Sequence, residues 1–339
     1  MAILVTGGAG YIGSHTALTL LEKGEKVIIL DNLSNSSLES LNRIKAIIGI
    51  EPFFYQGDIL NRELLQKIFS EHSITHVIHF AGLKSVGESV LEPLKYYEVN
   101  IAGSLCLFDE MLRAGVENLI FSSSATVYGT PEAIPLTESC QAEGTTNPYG
   151  TSKLMVEKIL TDLSIAHPTF NITILRYFNP VGAHPSGEMG EDPNGIPNNL
   201  MPYICQVAIG KREQLSIYGN DYQTKDGTGV RDFIHVMDLA EGHVAALRRR
   251  NDASNLNIYN LGTGKGYSVL ELLDAFKRVT KLSVPYVFAT RRQGDIGECW
   301  SDPSKAHNEL GWKATRNLDD MVRDAWNWQQ KNPNGYKSN

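Results

Sequence analysis

The sequence has few of the features that mark extracellular, metal-binding or membrane proteins. Its 339 residues contain only four cysteines, at positions 106, 140, 205 and 299, and none of them forms a C-x-x-C pair. The nine histidines form no H-E-x-x-H motif or Cys/His cluster, so no metal is expected. Reduced thiols and the lack of a basic leader followed by an apolar stretch favour a cytoplasmic protein.

Long apolar runs and an excess of positive charge are also missing. No stretch approaches the roughly 18 apolar residues that a membrane-spanning helix needs. With 31 basic and 38 acidic residues, the formal net charge is −7, which argues against nucleic acid and anionic membranes as partners. A hydrophobic content of 42% is typical of a globular protein, and the length predicts about two domains.

Short apolar segments alternate with amphipathic stretches over residues 1–180. The predicted strands are 3–6, 26–30, 52–56, 76–80, 118–122 and 172–176, and the stretch 62–70 has helical spacing. This alternation predicts an α/β fold with a doubly wound parallel sheet. Residues 181–339 are predicted to form a smaller α+β domain. It begins with a long Pro- and Gly-rich loop over 180–199. Segment 230–262 is a candidate to return to the first domain.

A glycine-rich turn follows the first predicted strand. Gly7, Gly10 and Gly13 stand between this strand and an amphipathic stretch, which is the strand–turn–helix context of dinucleotide binding. Gly7 suits the tight turn, Gly10 lets the backbone approach a pyrophosphate, and Gly13 allows close packing of helix and strand. The helix N-terminus then faces the anion. Glycines that merely form a turn are the ordinary alternative.

Acidic residues end the next two predicted strands. Asp31 can accept hydrogen bonds from an adenosine ribose and would repel a 2′-phosphate, so NAD is expected rather than NADP. Asp58 is a candidate for the adenine amine, with a turn-forming Asp after Gly57 as the alternative.

Tyr149 and Lys153 lie one helical turn apart at the start of a predicted helix. Asn147 can cap this helix and Pro148 suits its first turn, which puts both side chains on one face. A tyrosine has an ordinary pKa near ~10, and an adjacent ammonium and a cationic nicotinamide ring can both favour the phenolate of Tyr149. Ser124 ends the fifth strand, at the edge where such sheets bind ligands. These three residues are candidates for acid–base catalysis, and a surface Y-x-x-x-K pair is the alternative.

Longer motifs resemble one family of enzymes. Segments 6–13, 122–129 (S-S-S-A-T-V-Y-G) and 149–153 are similar to the extended short-chain dehydrogenase/reductases. Segments 80–85, 175–190, 195–203, 226–238, 259–263 and 291–295 resemble the UDP-glucose 4-epimerases among them. The resemblance covers nearly the whole chain. It implies an NAD-binding Rossmann domain over 1–180 and a UDP-sugar-binding domain over 181–339.

The resemblance also implies the chemistry, which is inversion at C4 of a UDP-hexose with bound NAD. Tyr149 would take the proton of the C4 hydroxyl, Lys153 would stabilise the phenolate, and Ser124 would position the hydroxyl. The implied cofactor contacts are these three residues with Gly7, Gly10, Tyr11, Ile12, Gly13, Asp31, Asn32, Leu33, Ser34, Asn35, Ser36, Asp58, Ile59, Phe80, Ala81, Gly82, Lys84 and Phe178. Val99 stands where the family carries Asn, with Asn100 beside it, so a contact at 99 is in doubt.

Recognition of the UDP-sugar is implied mainly in the second half. Arg231 and Arg292 suit a diphosphate because a guanidinium fork matches phosphate oxygens. Residues 216–218 would flank the uracil, and Asp295 would hold the uridine ribose. The implied substrate contacts are Lys84, Ser124, Tyr149, Tyr177, Asn179, Asn199, Leu200, Ser216, Ile217, Tyr218, Arg231, Arg292, Asp295 and Cys299.

Cys299 departs from the pattern of many bacterial relatives, which carry Tyr there and act only on the glucose and galactose forms. A thiol is smaller than a phenol, so the resemblance implies room for an N-acetyl group and use of UDP-GlcNAc and UDP-GalNAc. A buried small hydrophobe without such a role is the alternative. The family also implies a homodimer, with 93–114 and 149–163 as candidate interface helices.

Other functions share part of this pattern. A nucleotide-sugar 4,6-dehydratase needs an Asp-Glu pair after the strand Ser or Thr, where this chain has Ala125 and Thr126. A reductase would consume its cofactor, and an inactive sugar-nucleotide sensor would not need Tyr149 and Lys153. We therefore expect an NAD-dependent UDP-hexose 4-epimerase, with another NAD-dependent nucleotide-sugar enzyme as the alternative.

Overall fold

The computed structural model describes residues 1–249, 254–292 and 294–337. Its strands are β1 (Ala2–Thr6), β2 (Lys26–Asp31), β3 (Phe53–Gln56), β4 (His76–His79), β5 (Asn118–Ser124), β6 (Asn171–Tyr177), β7 (Asn179–Val181), β8 (Leu215–Tyr218), β9 (Val230–Arg231), β10 (Phe233–His235), β11 (Leu256–Leu261), β12 (Tyr267–Ser268), β13 (Tyr286–Ala289) and β14 (Glu298–Cys299).

The α-helices are α1 (Tyr11–Glu22), α2 (Glu39–Ile48), α3 (Arg62–Glu71), α4 (Val86–Leu91), α5 (Pro93–Tyr97), α6 (Gly103–Arg113), α7 (Pro148–Ala166), α8 (Leu200–Ala208), α9 (Val236–Leu247), α10 (Val269–Thr280), α11 (Ser304–Leu310) and α12 (Leu318–Lys331). A π-helical turn spans Glu98–Ala102, and a 3₁₀ turn spans Ala125–Tyr128. In the described ranges, no helix has the length and apolar character needed to cross a membrane.

One sheet of seven parallel strands organises the first part of the chain. Its strand order is β11-β6-β5-β4-β1-β2-β3, so the order reverses between β1 and β4. Ligands of such sheets bind at the carboxyl ends of the strands, beside this switch point. The predicted α/β fold with a doubly wound parallel sheet is therefore confirmed.

Alternation along the strands builds a core on each face of the sheet. In β1, Ile3 and Val5 pack with Leu18 of α1, while Leu4 between them packs with Phe108 and Leu160 on the opposite face. All six side chains are almost fully buried, which is typical of strands covered by helices on both sides.

The second part of the chain forms smaller sheets, in the orders β10-β7, β12-β9-β14 and β13-β8. Helices α8, α10 and α12 share a third apolar cluster with β8. Between these pieces, α9 packs on α1 and β11 pairs with β6 of the large sheet. The division of the chain into two domains at residue 180 stays a prediction.

The predicted loop over 180–199 contains no helix or strand after β7. It packs against residues of α12 and of the segment that follows this helix. A Cβ added at Gly190 would lie 2.3 Å from Trp328 Cγ of α12, so only glycine fits this approach. The backbone N–H of Tyr336 donates to Asp192 at 2.8 Å, and its ring packs on Trp328.

Candidate active site

The glycine turn has the shape of a phosphate cradle. Gly7 has a positive φ of 70°, and a Cβ there would lie 2.7 Å from the backbone N of Ala81. A Cβ at Gly13 would lie 2.3 Å from the carbonyl oxygen of Gly7, whereas one at Gly10 would meet only that oxygen, at 3.3 Å. Gly10 is also the N-cap of α1 and has no side chain to cap it. The turn therefore leaves backbone N–H groups open to an anion, as a dinucleotide requires.

Asp31 ties this turn to the loop after β2. Its Oδ2 accepts from the backbone N of Ala9 at 3.0 Å, and its Oδ1 accepts from the N–H of Leu33 and the hydroxyl of Ser36. Because each carboxylate oxygen can accept two hydrogen bonds, capacity for a ribose hydroxyl remains.

The other residues of the predicted cofactor loops lie around the same edge. Asn32 donates to Asp58 at 2.7 Å, while Ser34 and Asn35 are exposed. Tyr11 donates its hydroxyl to the carbonyl of Gly182. The side chain of Ile59 packs in the core, so its predicted contact is left to its backbone.

The predicted catalytic residues lie together at the carboxyl end of β5. The N-cap Asn147 accepts from the backbone N of Gly150, as its sequence position predicts. Tyr149, at the start of α7, has the Ser124 hydroxyl near enough to lower the pKa of its phenol. One turn later, Lys153 Nζ donates to the carbonyl oxygen of Ser122 at 2.9 Å. Tyr177 at the end of β6 completes the group, and the Ser122 side chain lowers the pKa of its phenol in the same way.

The protein alone raises the pKa of Tyr149 above its ordinary value, and the predicted effect of a cationic nicotinamide stays a prediction. Burial raises the pKa of the phenol, because the phenolate loses water, and the neighbouring Ser124 hydroxyl offsets this only in part. Burial also lowers the pKa of Lys153 to about 8, although the Glu157 carboxylate acts the other way. Further positive charge near Tyr149 is therefore needed before its phenol ionises at neutral pH.

Asn100 joins this site, and the sequence did not reveal it. The predicted helix 93–114 is interrupted by the π-helical turn, in which Asn100 is buried and Val99 is half-buried. The Asn100 amide accepts from Leu83 N at 2.7 Å and donates to Ser152 Oγ at 2.9 Å. A Cβ at Gly82 would lie 3.0 Å from Asn100 Oδ1 and 3.8 Å from Lys153 Nζ. The asparagine that faces the cofactor loop is therefore at position 100.

A buried ion pair fixes the catalytic helix to the sheet. Arg176 of β6 donates to both oxygens of Glu157, with its Nη2 at 2.5 Å from Oε2, and both side chains are 5% exposed. Ser123 also donates to Glu157. Glu157 stands one turn after Lys153, so this network sets the position of the helix that carries Tyr149 and Lys153.

The residues predicted to bind the nucleotide lie in a second group, on the strands of the smaller sheets or in the loops beside them. Arg292 pairs with Asp295 at 2.9 Å and lies over the ring of Tyr218. Ser216 is half-buried in the same strand, whereas Ile217 packs in the core and can offer only its backbone. Arg231 Nη1 donates to the carbonyl of Val230.

Cys299 lies between the two groups of site residues. It is 7% exposed and packs in one cluster with Phe178, Ala125 and Leu154, the last two next to Ser124 and Lys153 in sequence. Its strand β14 pairs with β9, opposite Arg231. Burial raises the pKa of the Cys299 thiol to about 11, so it is an uncharged side chain at neutral pH.

Glu191 is a second site residue that the sequence did not reveal. Its Oε1 accepts from Asn199 Nδ2 at 2.6 Å and from Lys84 Nζ at 3.3 Å, which joins two predicted substrate contacts. Leu200, the first residue of α8, is half-buried, and Asn179 is exposed at the start of β7. Sequence spacing carries no signal for the Glu191 contact, because Lys84 is 107 residues away.

Comparison with known proteins places the whole chain in one group. The model of the GDP-mannose 4,6 dehydratase family matches residues 4–325. The UDP-glucose 4-epimerase of Yersinia enterocolitica is 64% identical over 336 residues, which are 99% of each chain.

Solved structures agree. The UDP-glucose 4-epimerase of Bifidobacterium longum, in complex with NAD⁺ and UDP, is 53% identical with a TM-score of 0.96, covering 99% of this chain and 100% of that one. The UDP-Glc/GlcNAc 4-epimerase of Campylobacter jejuni is 37% identical with a TM-score of 0.84, covering 97% and 99%. With a matching sheet, glycine turn and Ser124–Tyr149–Lys153 group, this chain belongs to the UDP-glucose 4-epimerase family.

Proposed function

We propose that this protein is an NAD-dependent UDP-hexose 4-epimerase that interconverts UDP-glucose and UDP-galactose. The observation that carries the proposal is the group of Ser124, Tyr149 and Lys153 at the carboxyl edge of the sheet, next to Gly82 and the glycine turn. The 64% identical relative from Yersinia enterocolitica is named UDP-glucose 4-epimerase, and the Bifidobacterium longum neighbour was solved in complex with NAD⁺ and UDP.

The glycine turn and the Asp31 loop would hold NAD, which would supply a hydride acceptor for C4 of the sugar and positive charge beside Tyr149. That charge offsets the burial that raises the pKa of the phenol. Tyr149 takes the proton of the C4 hydroxyl while Ser124 holds that oxygen. Once the bound 4-keto sugar has turned its other face towards the site of the nicotinamide, Tyr149 would give the proton back to the C4 oxygen. No net oxidation or reduction results.

The direct test is to incubate the pure protein with UDP-galactose, with and without added NAD, and to identify the products by proton NMR. We expect UDP-glucose with no net consumption of cofactor. A 4-keto-6-deoxy sugar would instead indicate a dehydratase, for which the site has Ala125 and Thr126 in place of the Asp-Glu pair. Consumption of reduced cofactor would indicate a reductase.

We propose in addition that UDP-GlcNAc and UDP-GalNAc are substrates. The support is the small Cys299 side chain between Phe178 and the segments that carry Ser124 and Lys153. The Campylobacter jejuni neighbour, named for both glucose and GlcNAc forms, is a precedent in the same fold.

This second proposal is tested by size at position 299. Cys299→Tyr should lower turnover of the N-acetylated pair by at least about 100-fold and leave the glucose pair within about threefold, because the phenol fills the room for the N-acetyl group and a single methylene already changes discrimination by ~1–3 kcal/mol. Cys299→Ser is the matched control, because it keeps the room without the thiol, and it should retain both activities. A wild-type protein that ignores UDP-GlcNAc would contradict the proposal.

The proposed assembly is a homodimer through the segments 93–114 and 149–163. Exposed apolar side chains lie on both segments, with Leu94 at 81%, Leu105 at 44% and Met155 at 44% exposed. Light scattering should give twice the chain mass, and Leu94→Lys should shift the protein towards monomer. Leu282→Lys, on an exposed site outside these helices, is the control and should leave the mass unchanged.

A further inference from the structure

We infer that Glu191 is a positioning residue for the UDP-hexose, because it fixes the direction of the Asn199 amide and sets the Lys84 ammonium beside it. This inference rests on the proposed function, in which Asn199 and Lys84 are substrate contacts.

Glu191 joins three segments that are far apart in sequence. It comes from the loop after β7, Lys84 follows β4, and Asn199 precedes α8. Its Oε1 lies 2.6 Å from Asn199 Nδ2 and 3.3 Å from Lys84 Nζ, and the Glu191 side chain is only 8% exposed. Lys84, beside the predicted cofactor loop, and Asn199, a predicted substrate contact, therefore share one carboxylate oxygen of Glu191.

The position of Asn199 supports this role independently. It is the N-cap of α8, where an asparagine ordinarily accepts from a backbone N–H of the first turn. Among the described residues, the Asn199 side chain makes no such capping bond and donates to Glu191 instead. The carboxylate thus draws the amide away from the helix, which leaves the second amide hydrogen and the amide oxygen free for a ligand.

The two contacts of Glu191 differ in strength. Its hydrogen bond to Asn199 is short and partly buried, whereas Lys84 is 51% exposed and its ion pair is screened. The bond to Asn199 therefore carries the larger effect. Lys84 balances the negative charge, because an unpaired carboxylate at this place would repel a diphosphate.

The backbone of the loop is anchored without the Glu191 side chain. Trp328 Nε1 donates to the Glu191 carbonyl at 3.2 Å, and Asn198 Nδ2 donates to Ser85 Oγ at 3.2 Å. A substitution at 191 should therefore change the direction of Asn199 without releasing the loop.

The test measures UDP-glucose binding by calorimetry in a Tyr149→Phe parent, so that no turnover occurs. Adding Glu191→Ala should raise the Kd about tenfold, the effect of losing one charge-assisted hydrogen bond. Glu191→Gln should keep the Kd within about threefold, because the amide oxygen still accepts from Asn199. In the otherwise wild-type enzyme, Glu191→Ala should raise KM with kcat within about twofold.

A double variant tests whether Glu191 acts through Asn199. If it does, Glu191→Ala combined with Asn199→Ala should bind no more weakly than Asn199→Ala alone. Glu188→Ala is the matched control, since Glu188 lies in the same loop and pairs with Arg43 and Lys331 outside the site. It should leave the Kd unchanged.

A Kd within twofold for Glu191→Ala, an equal loss for Glu188→Ala, or multiplicative losses in the double variant would overturn the inference. These results are separable from the proposed function. A wild-type protein that binds UDP-glucose without epimerising it removes the proposed function and leaves the Kd comparison valid. A Tyr149→Phe parent that does not bind UDP-glucose overturns both.

Discussion

The large sheet with its covering helices and the smaller sheets beside it hold their site residues by different means. Strands β1–β6 and β11 have four to seven residues and are held by parallel ladders between two apolar clusters. Strands β7–β10 and β12–β14 have two to four residues, too few to fix a position by pairing alone.

Buried polar side chains take over in the smaller sheets. Asp232, fully buried after β9, accepts from the N–H and hydroxyl of Thr263, from Gly264 N, and from the N–H and hydroxyl of Ser301. It thereby ties the Arg231 and Cys299 strands to the turn after β11. The comparison teaches that the proposed catalytic residues are carried by long parallel strands, while the short strands with the proposed nucleotide contacts also depend on buried hydrogen bonds.

The sharpest separation of the two regions comes from Tyr149→Phe. We expect kcat to fall about 10³-fold, within the usual range for loss of an acid–base group, with the Kd for UDP within about threefold. Steady-state kinetics and calorimetry measure the two quantities. Tyr286→Phe, exposed on β13, is the control. Comparable turnover by the Tyr149→Phe enzyme would remove this residue from the chemistry.

The hydrogen-bonded scaffold is broken by Asp232→Asn. The amide has the shape of the carboxylate but cannot accept at its nitrogen, so at least two of the donors on Asp232 lose their partner. We expect the free energy of unfolding in urea to fall by about 3 kcal/mol. Asp274→Asn, exposed on α10, should change it little. An unchanged unfolding midpoint for Asp232→Asn would refute the scaffold argument.

Lowering the pH should destabilise the sheet region first. Burial lowers the pKa of His15 and His243 to about 4 and that of His79 to about 3, and all three lie in this region. Below the ordinary pKa of about 6.5 the unfolded chain binds more protons than the fold, so stability falls as pH drops. Each histidine should remove about 2 kcal/mol from the free energy of unfolding between pH 7 and pH 5.

Urea unfolding of a His243→Gln variant at pH 7 and at pH 5 tests the contribution of this histidine to the loss of stability. The loss between pH 7 and pH 5 should be smaller than in the wild type by about 2 kcal/mol. His307→Gln, on the exposed side of α11, should keep the wild-type loss. Identical pH dependence of all three proteins would show that His243 is not a source of acid sensitivity.

The smallest expected effect concerns one helix of the outer region. Asn317 caps α12 and forms a capping box with Asp320. Asn317→Ala should lower the free energy of unfolding by about 1 kcal/mol, as the loss of an N-cap does. Asn308→Ala, exposed within α11, should be neutral or stabilising. Equal melting curves for the two variants would count against the cap.

The contrast between the regions also explains what the sequence could predict. Buried parallel strands and a glycine turn leave local patterns, so β1–β6 and the cap at Asn147 follow from residue spacing. Asn100 needed the π-helical turn, and Glu191 needed contacts between distant segments. The pKa of Tyr149 depends on burial, which spacing does not give. The substrate roles of Asn199, Arg231 and the other outer residues rest on the resemblance and stay predictions.

The contacts of Trp328 and Tyr336 with the loop after β7 make the segment 328–336 part of the architecture of the candidate site. Tyr336 holds Asp192, which is next to Glu191, although 144 residues separate the two partners. Removal of the residues after α12 would therefore release the loop that carries Glu191 from one of its anchors.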